Sequence, residues 1–308
     1  MRDKVKAAVD QIGSALLGKE HEIRLALCCL LSGGHLLIED LPGMGKTTLA
    51  QALAKVFGLK FSRIQFTSDL LPADILGVSI FDGKTSAFHF HPGPIFSQLV
   101  LADEINRATP KTQSALLEAM EEGQVSVEGA TRALPQPFFV IATQNPVTLA
   151  GTFPLPESQL DRFLMRLKIG YPDSSAERRL LETTEHGSVA LEGIKQCFGE
   201  EELALMRQAA ARVSCSKHLL DYVQRLIACT RDENHFDCGL SPRGSIALVR
   251  TARTWAFMQG REHVIPEDVQ TVFTVVVEHR LQLGRKSQAQ TGDTFSQWIL
   301  QQVDVFNS

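Results

Sequence analysis

A short loop between an apolar run and a helical pattern carries the residues best suited to chemistry. The stretch EDLPGMGKTTLA covers residues 39–50 and places Gly43 and Gly45 just before Lys46. Glycines let a backbone wrap an anion without Cβ clashes, and the N–H groups of a helix N-terminus favour negative charge. In such loops the lysine reaches the β- and γ-phosphates of a nucleotide, and the next hydroxyl lies on Mg²⁺. The predicted nucleotide-binding residues are Pro42, Gly43, Met44, Gly45, Lys46, Thr47 and Thr48.

This loop departs from the general phosphate-binding pattern at one position. The pattern G-x-x-x-x-G-K-[ST] has glycine where this chain has Asp40. The core P-G-x-G-K-T-T is intact, which favours ATP and Mg²⁺ as ligands, with Thr47 on the metal. The alternative is a glycine-rich turn that carries a surface lysine.

Two further apolar runs end in polar side chains. LVLADE ends in Asp103 and Glu104, and FFVIATQN ends in Asn145. In an open parallel sheet the carboxyl ends of the strands face the ligand crevice. Asp103 is then placed to hold Mg²⁺ through water, Glu104 to polarise a water that attacks the γ-phosphate, and Asn145 to bind that water or the phosphate. The alternative is that these strands simply stop at solvent, and that Asn145 belongs to an ordinary Asn-Pro turn.

Two arginines are candidates for neutralising the charge that develops during phosphoryl transfer. Arg162, in PESQLDRFLMRL, lies late in a short helix before the last strand of the first half. Arg243, in LSPRGSIALVR, follows a predicted N-cap at Ser241 and a proline at the first helical position. A cation is slightly unfavourable at a helix N-terminus, which suggests an anionic partner for Arg243.

The elements that must position these residues fall into two groups. Up to about residue 172, short apolar runs alternate with helical patterns, which is typical of an α/β unit with a mostly parallel sheet. The five strand-like runs are HLLIED, KFSRIQFT, LVLADEI, FFVIATQN and MRLKIGY. Helical stretches then follow one another, near 174–186, 201–212, 217–231, 242–259 and 266–282. We predict an α/β nucleotide-binding domain over residues 1–172 and a small all-helical domain over residues 173–308.

Two segments of the first half fit neither pattern. Residues 76–96 contain a turn at Asp82-Gly83 between alternating residues, and residues 123–136 contain a turn near Glu128-Gly129. Both are typical of β-hairpins inserted into the α/β unit. Long surface loops are the alternative.

Composition narrows the class of protein. The chain has 308 residues, 44% of them hydrophobic, a formal charge of −4 and a pI near 6.2. This balance gives no overall reason to expect a nucleic-acid partner. No apolar run is long enough to span a membrane and no signal sequence is evident, so we expect a cytoplasmic protein. The six cysteines form no C-x-x-C pair. His89 with His91, or His235 with Cys238, would make only a weak metal site, because further ligands are missing.

The ordered set of motifs resembles the MoxR family of AAA+ ATPases. The segments that carry the resemblance are LPGMGKTT, LVLADEINRA, ATQNP, LPESQLDRF and SPRGSIALVRTARTWA, and the match runs from about residue 10 to residue 282. The resemblance implies a phosphate-loop AAA+ core with a five-stranded sheet and a helical lid. It also implies these roles: Lys46 and Thr47 in the Walker A loop, Asp103 and Glu104 in Walker B, Asn145 as sensor 1, Arg243 as sensor 2, Arg162 as the arginine finger, and Gly18 near adenine.

The same resemblance implies a function. Such proteins form rings, usually hexamers, with ATP at the subunit interfaces, and help to mature or activate proteins or metalloenzymes, often with a von Willebrand factor A domain partner. We expect that partner on a separate chain, because no such domain is recognisable here. One alternative is a nucleic-acid motor, but Lys84 and Arg132 are the only lysine or arginine residues of the two predicted hairpins. Another is a small-molecule kinase, which the adjacent Asp103 and Glu104 disfavour.

Overall fold

The structure is a computed structural model that describes residues 2–145, 151–182, 191–283 and 294–305. The strand-rich part runs to Leu167, and the helical part begins at Ser174. The change from strand-rich to helical structure therefore falls between Leu167 and Ser174. The division into two domains at residues 172 and 173 remains a prediction. No helix in the described ranges is long and apolar enough to cross a membrane.

Helices and strands alternate along the first part. Its strands are β1 His35–Glu39, β2 Phe61–Gln65, β3 Gly77–Asp82, β4 Ala87–Pro92, β5 Leu99–Asp103, β6 Gln124–Val127, β7 Ala130–Ala133, β8 Phe139–Gln144 and β9 Phe163–Leu167. Its helices are α1 Arg2–Ala15, α2 Glu20–Leu31, α3 Lys46–Phe57, α4 Pro72–Leu76, α5 Pro110–Glu122 and α6 Glu157–Leu160. The helix predicted to start at Pro110 and to end at Gly123 is confirmed, because Gly123 caps it at a φ of 63°.

Five of the strands form one parallel sheet in the order β2-β5-β8-β1-β9, as the sequence predicts. Its side chains alternate between two apolar layers, since successive strand residues point to opposite faces. Leu36 and Leu101 pack in the layer that contains α1–α3, whereas Leu37 and Val100 pack in the layer that contains α5. The central strands β5 and β8 are buried throughout. The carboxyl ends of all five strands therefore meet at one edge.

Both predicted hairpins are present. Strands β3 and β4 pair from Gly77 and Pro92 to Asp82 and Ala87. Strands β6 and β7 pair through a turn at Glu128 and Gly129, whose φ angles of 54° and 77° are left-handed. Two consecutive left-handed residues match the twist of the flanking strands, which explains why Glu-Gly serves at this turn.

The second part is helical with one addition. Its helices are α7 Ser174–Glu182, α8 Glu200–Ala211, α9 Lys217–Thr230, α10 Pro242–Met258, α11 Pro266–Val277 and α12 Phe295–Gln302. The helical stretch predicted near 266–282 ends earlier in the structure, because α11 ends at Val277 and a 3-10 turn covers Glu278–Arg280. A short antiparallel ladder of β10 Phe236–Cys238 and β11 Gln282–Leu283 follows, so the lid is not entirely helical.

The C-terminal helix packs on this same lid. In α12 the Trp298 ring lies 4.8 Å from the ring of His235 and 6.3 Å from that of Phe236, measured between centroids. The described part of the C-terminal segment therefore contacts the lid. Residues 183–186, the end of the helical stretch predicted near 174–186, lie outside the described ranges.

Candidate active site at the carboxyl edge of the sheet

The loop between β1 and α3 has the backbone conformation that the glycines were expected to allow. Gly43 and Gly45 have φ angles of 84° and 85°, in the left-handed region that side chains disfavour. A Cβ on Gly45 would lie 2.5 Å from Cδ1 of Leu16, just after α1, so a larger residue here would also have to displace that side chain. A Cβ on Gly43 would meet nothing within 4 Å. The loop thus approaches Leu16 at Gly45 and has open space beside Gly43.

Lys46 begins α3 and is buried, with only 8% of its surface exposed. Its Nζ donates to the carbonyl oxygens of Asp40 at 2.5 Å and Leu41 at 3.2 Å, and to Oδ1 of Asn145 at 3.3 Å. Burial lowers the pKa of Lys46, and the nearby carboxylates of Asp40, Asp103 and Glu104 oppose this shift. The structure therefore brings Lys46 and Asn145 together, although 99 residues separate them.

Asp40 explains the departure from the general loop pattern. Its Oδ1 accepts from the backbone N–H of Leu41 at 2.8 Å, and its Oδ2 accepts from Ile169 at 2.8 Å and Gly170 at 2.6 Å. Hydrogen bonds to a charged acceptor are among the stronger ones in proteins. In place of a glycine, this chain has a carboxylate that fastens the start of the loop to the segment after β9.

Asp103 ends β5 in a buried position. Its Oδ2 accepts from Arg63 of β2, with Nη2 at 2.6 Å, and its Oδ1 accepts from the Thr143 hydroxyl at 2.6 Å. Both partners stand on the neighbouring strands of the sheet, so the register of β2, β5 and β8 decides this contact. The carboxylate is held in one orientation at the sheet edge.

Glu104 lies one residue beyond the strand, with a left-handed φ of 56°. Its backbone N–H donates to the Thr143 hydroxyl at 2.8 Å. Its side chain accepts from Asn145 Nδ2 at 3.0 Å, from Gln65 Nε2 at 3.1 Å and from Arg107 Nη1 at 3.1 Å. Such a conformation is uncommon for a residue with a side chain and is found most often where a site requires it. Here it directs the carboxylate towards Asn145.

Several residues of this network were not predicted from the sequence. They are Arg63, Gln65, Asn106, Arg107 and Thr143. Gln65 could have been found, because it is a polar residue at the end of a strand, the same signal that identified Asp103. Asn106 is 1% exposed and donates to the Asn145 backbone oxygen at 3.1 Å. This hydrogen bond holds the residue that follows β8. Nothing local in the sequence indicates that contact.

The two arginines lie together, away from this network. Nη2 of Arg162 lies 3.1 Å from Glu121, and Nη1 of Arg243 lies 2.9 Å from the other oxygen of the same carboxylate. Arg162 precedes β9, and both arginines line a cavity that also includes Gly34, just before β1. Lys46 follows β1, whose five residues span about 16 Å. The arginines are therefore at the amino edge of the sheet, and Lys46 is at the carboxyl edge.

Gly18 lies at the turn between α1 and α2, with a φ of 71°. A Cβ there would lie 2.7 Å from Cβ of Ala176 in α7, so the turn and the start of the helical part are in close contact. The neighbouring Lys19 donates to the backbone oxygen of Tyr171 at 2.8 Å. Only glycine fits this position, for both conformation and space.

The carboxyl-edge residues fit a magnesium nucleotide. The loop leaves open space beside Gly43, and its backbone precedes the N-terminus of a 12-residue helix, where anions are stabilised. Lys46 supplies a cation, while Thr47 and Asp103 supply oxygen atoms. Among the described residues, no group of three or more histidine, cysteine, aspartate or glutamate side chains could hold a metal by itself. Mg²⁺ commonly takes one or two protein ligands together with substrate phosphates and waters, so this donor set suits it.

Comparisons with known proteins find relatives of both parts of the chain. Residues 35–165 match the family "ATPase family associated with various cellular activities (AAA)", and residues 229–302 match an AAA lid domain. The chain is 47% identical to the uncharacterized protein YeaC of Bacillus subtilis, over 90% of this chain and 86% of that protein. It is 39% identical to Chaperone MoxR1 of Mycobacterium tuberculosis, over 91% and 76%.

The fold has also been seen in a relative. A crystal structure of a protein from Cytophaga hutchinsonii superposes with a TM-score of 0.88 at 35% identity, over 98% of this chain and 95% of that one. Sheet, lid and loop motif agree with the two family matches. The chain thus belongs to the MoxR family of AAA+ ATPases, and its activity is ATP hydrolysis.

Proposed function

We propose that this ATPase forms a ring in which each ATP is bound by one subunit and completed by arginines of the next. The observation that carries the proposal is the position of Arg162 and Arg243 at the amino edge of the sheet, while Lys46 and Glu104 lie at the carboxyl edge. Phosphoryl transfer needs positive charge near the γ-phosphate, and an arginine supplied by a neighbour serves this purpose in other phosphate-loop enzymes. A hexamer is the ring size that the family suggests.

Each residue then has a role in hydrolysis. Lys46 and the backbone of residues 42–48 would bind the phosphates, Thr47 and Asp103 would hold Mg²⁺, and the turn at Gly18 would contact adenine. Mg²⁺ held there would neutralise charge on the phosphate oxygens. Glu104 accepts a proton from the attacking water as a general base. Asn145, which already bridges Lys46 and Glu104, orients that water relative to the γ-phosphate.

Hydrolysis would be used to remodel, mature or activate a partner protein or metalloenzyme. A relative that shares 39% identity is named a chaperone, which supports a function in remodelling other proteins. The β3–β4 hairpin supports it too, because Phe88 is 72% exposed and Phe81 is 55% exposed, with their rings 5.3 Å apart. Exposed aromatic groups suit contact with apolar segments of a protein. A separate protein with a von Willebrand factor A domain is the proposed adaptor.

A nucleic-acid motor is less well supported by the hairpins. A protein that tracks a strand needs several cations along its channel. The two hairpins contain only two lysine or arginine residues, Lys84 and Arg132. The guanidinium of Arg132 lies over the ring of Phe90, 3.9 Å from its centroid. Added DNA should therefore leave the ATPase rate unchanged. Stimulation by DNA that weakens steeply with salt would favour the motor instead.

The test of the shared site is to mix two inactive variants. Arg162→Ala keeps an intact phosphate loop but lacks its finger, whereas Lys46→Ala keeps the finger but lacks the loop lysine. Each variant alone should lose about 10³-fold or more in rate, and an equimolar mixture should recover activity at interfaces that combine the two intact halves. Turnover per chain of the unaltered protein should also rise with protein concentration. Equal turnover at all concentrations, with no recovery in the mixture, would refute a shared site.

A further inference from the structure

Most of the hydrogen bonds between the lid and the segment that carries Arg162 come from one side chain, Arg280. Arg280 follows α11 in the 3-10 turn, and its Nε donates to Oδ1 of Asp161 at 2.6 Å. Its Nη2 donates to the backbone oxygens of Phe163 at 2.6 Å and Asp161 at 3.2 Å. Its Nη1 donates to the backbone oxygens of Leu164 at 3.2 Å and of Val276. All five N–H groups of the guanidinium are therefore used.

This contact is buried and directional. The Arg280 side chain is 4% exposed, and Asp161 is its carboxylate partner. A buried guanidinium is destabilising unless its donors are satisfied, and its planar shape fixes where the acceptors must lie. The neighbouring His279 adds a hydrogen bond from Nε2 to the Phe163 backbone oxygen at 3.1 Å. The backbone on both sides of Arg162 is thus held by two consecutive lid residues.

We call the hydrogen bonds from Arg280 to Asp161, Phe163 and Leu164 the Arg280 clamp. The Arg162 side chain itself is not part of this clamp. It is 27% exposed and contacts Glu121, which also contacts Arg243 from the first turn of α10. The backbone before and after Arg162 is fixed from the lid, while its guanidinium reaches the cavity at the amino edge. An ion pair at a partly exposed site contributes little to stability, so Glu121 can give up Arg162 to a phosphate at small cost.

We infer that Arg280 positions the Arg162 finger, so that the lid of one subunit controls ATP hydrolysis in the adjacent subunit. The inference rests on the proposed function, in which Arg162 serves a neighbour's ATP. Arg280 touches neither the phosphate loop nor the Glu104 network of its own chain, so it is a positioning residue. A shift of about 1 Å in a catalytic group can lower a rate about 10²-fold, which is within reach of a loosened clamp.

The test uses Arg280→Lys, which keeps the charge beside Asp161 but cannot reach Phe163 and Leu164 at once. Alone, this variant should hydrolyse ATP about 10²-fold more slowly, with unchanged affinity for a nucleotide analogue. Mixed with Lys46→Ala, it should recover as much activity as the mixture of Arg162→Ala with Lys46→Ala. The double variant Lys46→Ala/Arg280→Lys should fail to rescue Arg280→Lys, because no interface then has both an intact loop and a clamped finger.

The matched control is Arg261→Lys, since the Arg261 guanidinium also pairs with a buried lid carboxylate, that of Asp268. It should keep the rate of the unaltered protein. If Arg162→Ala complements Lys46→Ala and Arg280→Lys does not, Arg280 acts within its own subunit and the inference is overturned. If the Arg162→Ala mixture also fails, the shared site itself is refuted, and the inference falls with it.

Discussion

Nδ2 of Asn145 donates a hydrogen bond to Oε1 of Glu104 at 3.0 Å, across the ends of two adjacent strands. The same amide accepts from Lys46 through its oxygen, so a single side chain links Lys46 to the Glu104 carboxylate. The link depends on β1, β5 and β8 being neighbours in the sheet. Lys46, Asn145 and Glu104 therefore form one hydrogen-bonded unit.

Asn145→Ala should therefore lower the catalytic rate more than the affinity for ATP. Removing a hydrogen bond that orients a reacting group costs about 10²-fold in kcat, whereas Lys46 and the loop backbone still bind the phosphates. Steady-state ATPase assays give kcat and KM separately. Gln144→Ala, at the preceding residue and outside this network, is the control and should keep kcat. Equal losses in both variants would show that the defect comes from the strand end as a whole.

Glu104→Gln should abolish hydrolysis while ATP stays bound. The amide cannot take a proton from water, and loss of a general base costs about 10²–10⁴-fold. Its one remaining oxygen can still accept from Asn145, while the amide nitrogen replaces the oxygen that accepts from Gln65, so the link to Asn145 should be kept. Light scattering during size-exclusion chromatography in ATP should detect a trapped assembly. A variant that stays monomeric at saturating ATP would argue against assembly on the nucleotide.

Asp40→Gly restores the general loop pattern and should nevertheless destabilise the protein. The change removes three hydrogen bonds to a carboxylate, from Leu41, Ile169 and Gly170, and adds a flexible residue. We expect a loss of about 3 kcal/mol in the free energy of unfolding. Urea titration provides the measurement. Asp40→Asn, which keeps one acceptor oxygen, should lose less, and an Asp40→Gly variant as stable as the parent would refute this role.

Stability should fall on mild acidification because of buried neutral histidines. His35 accepts from the Val140 N–H through Nδ1 at 3.0 Å, and burial lowers its pKa from 6.5 to about 4. The unfolded chain takes up a proton near pH 6.5, whereas the folded chain does so only near pH 4. Stability from this group is therefore complete above about pH 6.5 and decreases as the pH falls towards 4, by about 2 kcal/mol at pH 5.

Urea unfolding at about pH 7.5 and about pH 5 measures this dependence. The pKa of His279 is lowered well below its usual value, mainly by burial, so it acts in the same direction. His35→Gln removes one of the two groups and should reduce the loss of stability between the two pH values. A variant with the same pH dependence as the parent would exclude His35 as a source.

Most of the fold could be predicted from local patterns. The five apolar runs, the glycine cap at Gly123 and the turn at Glu128 depend on neighbours in sequence, and each has the predicted structure. The extension of α11 to residue 282 was the error, because the pairing of Phe236 with Leu283 competes with helix there. That contact joins residues about 47 positions apart, which a periodic pattern does not encode.

The sequence by itself determined the phosphate loop and the polar strand ends, because those signals follow from residue types at short spacing. Tertiary structure decided the partners: Gln65 on Glu104, Asp40 on the segment after β9, and Arg280 on the backbone around Arg162. It also placed Arg162 and Arg243 at the edge opposite Lys46. These contacts depend on strand order and on how the lid packs, and both are set by burial of apolar faces over long separations in the chain.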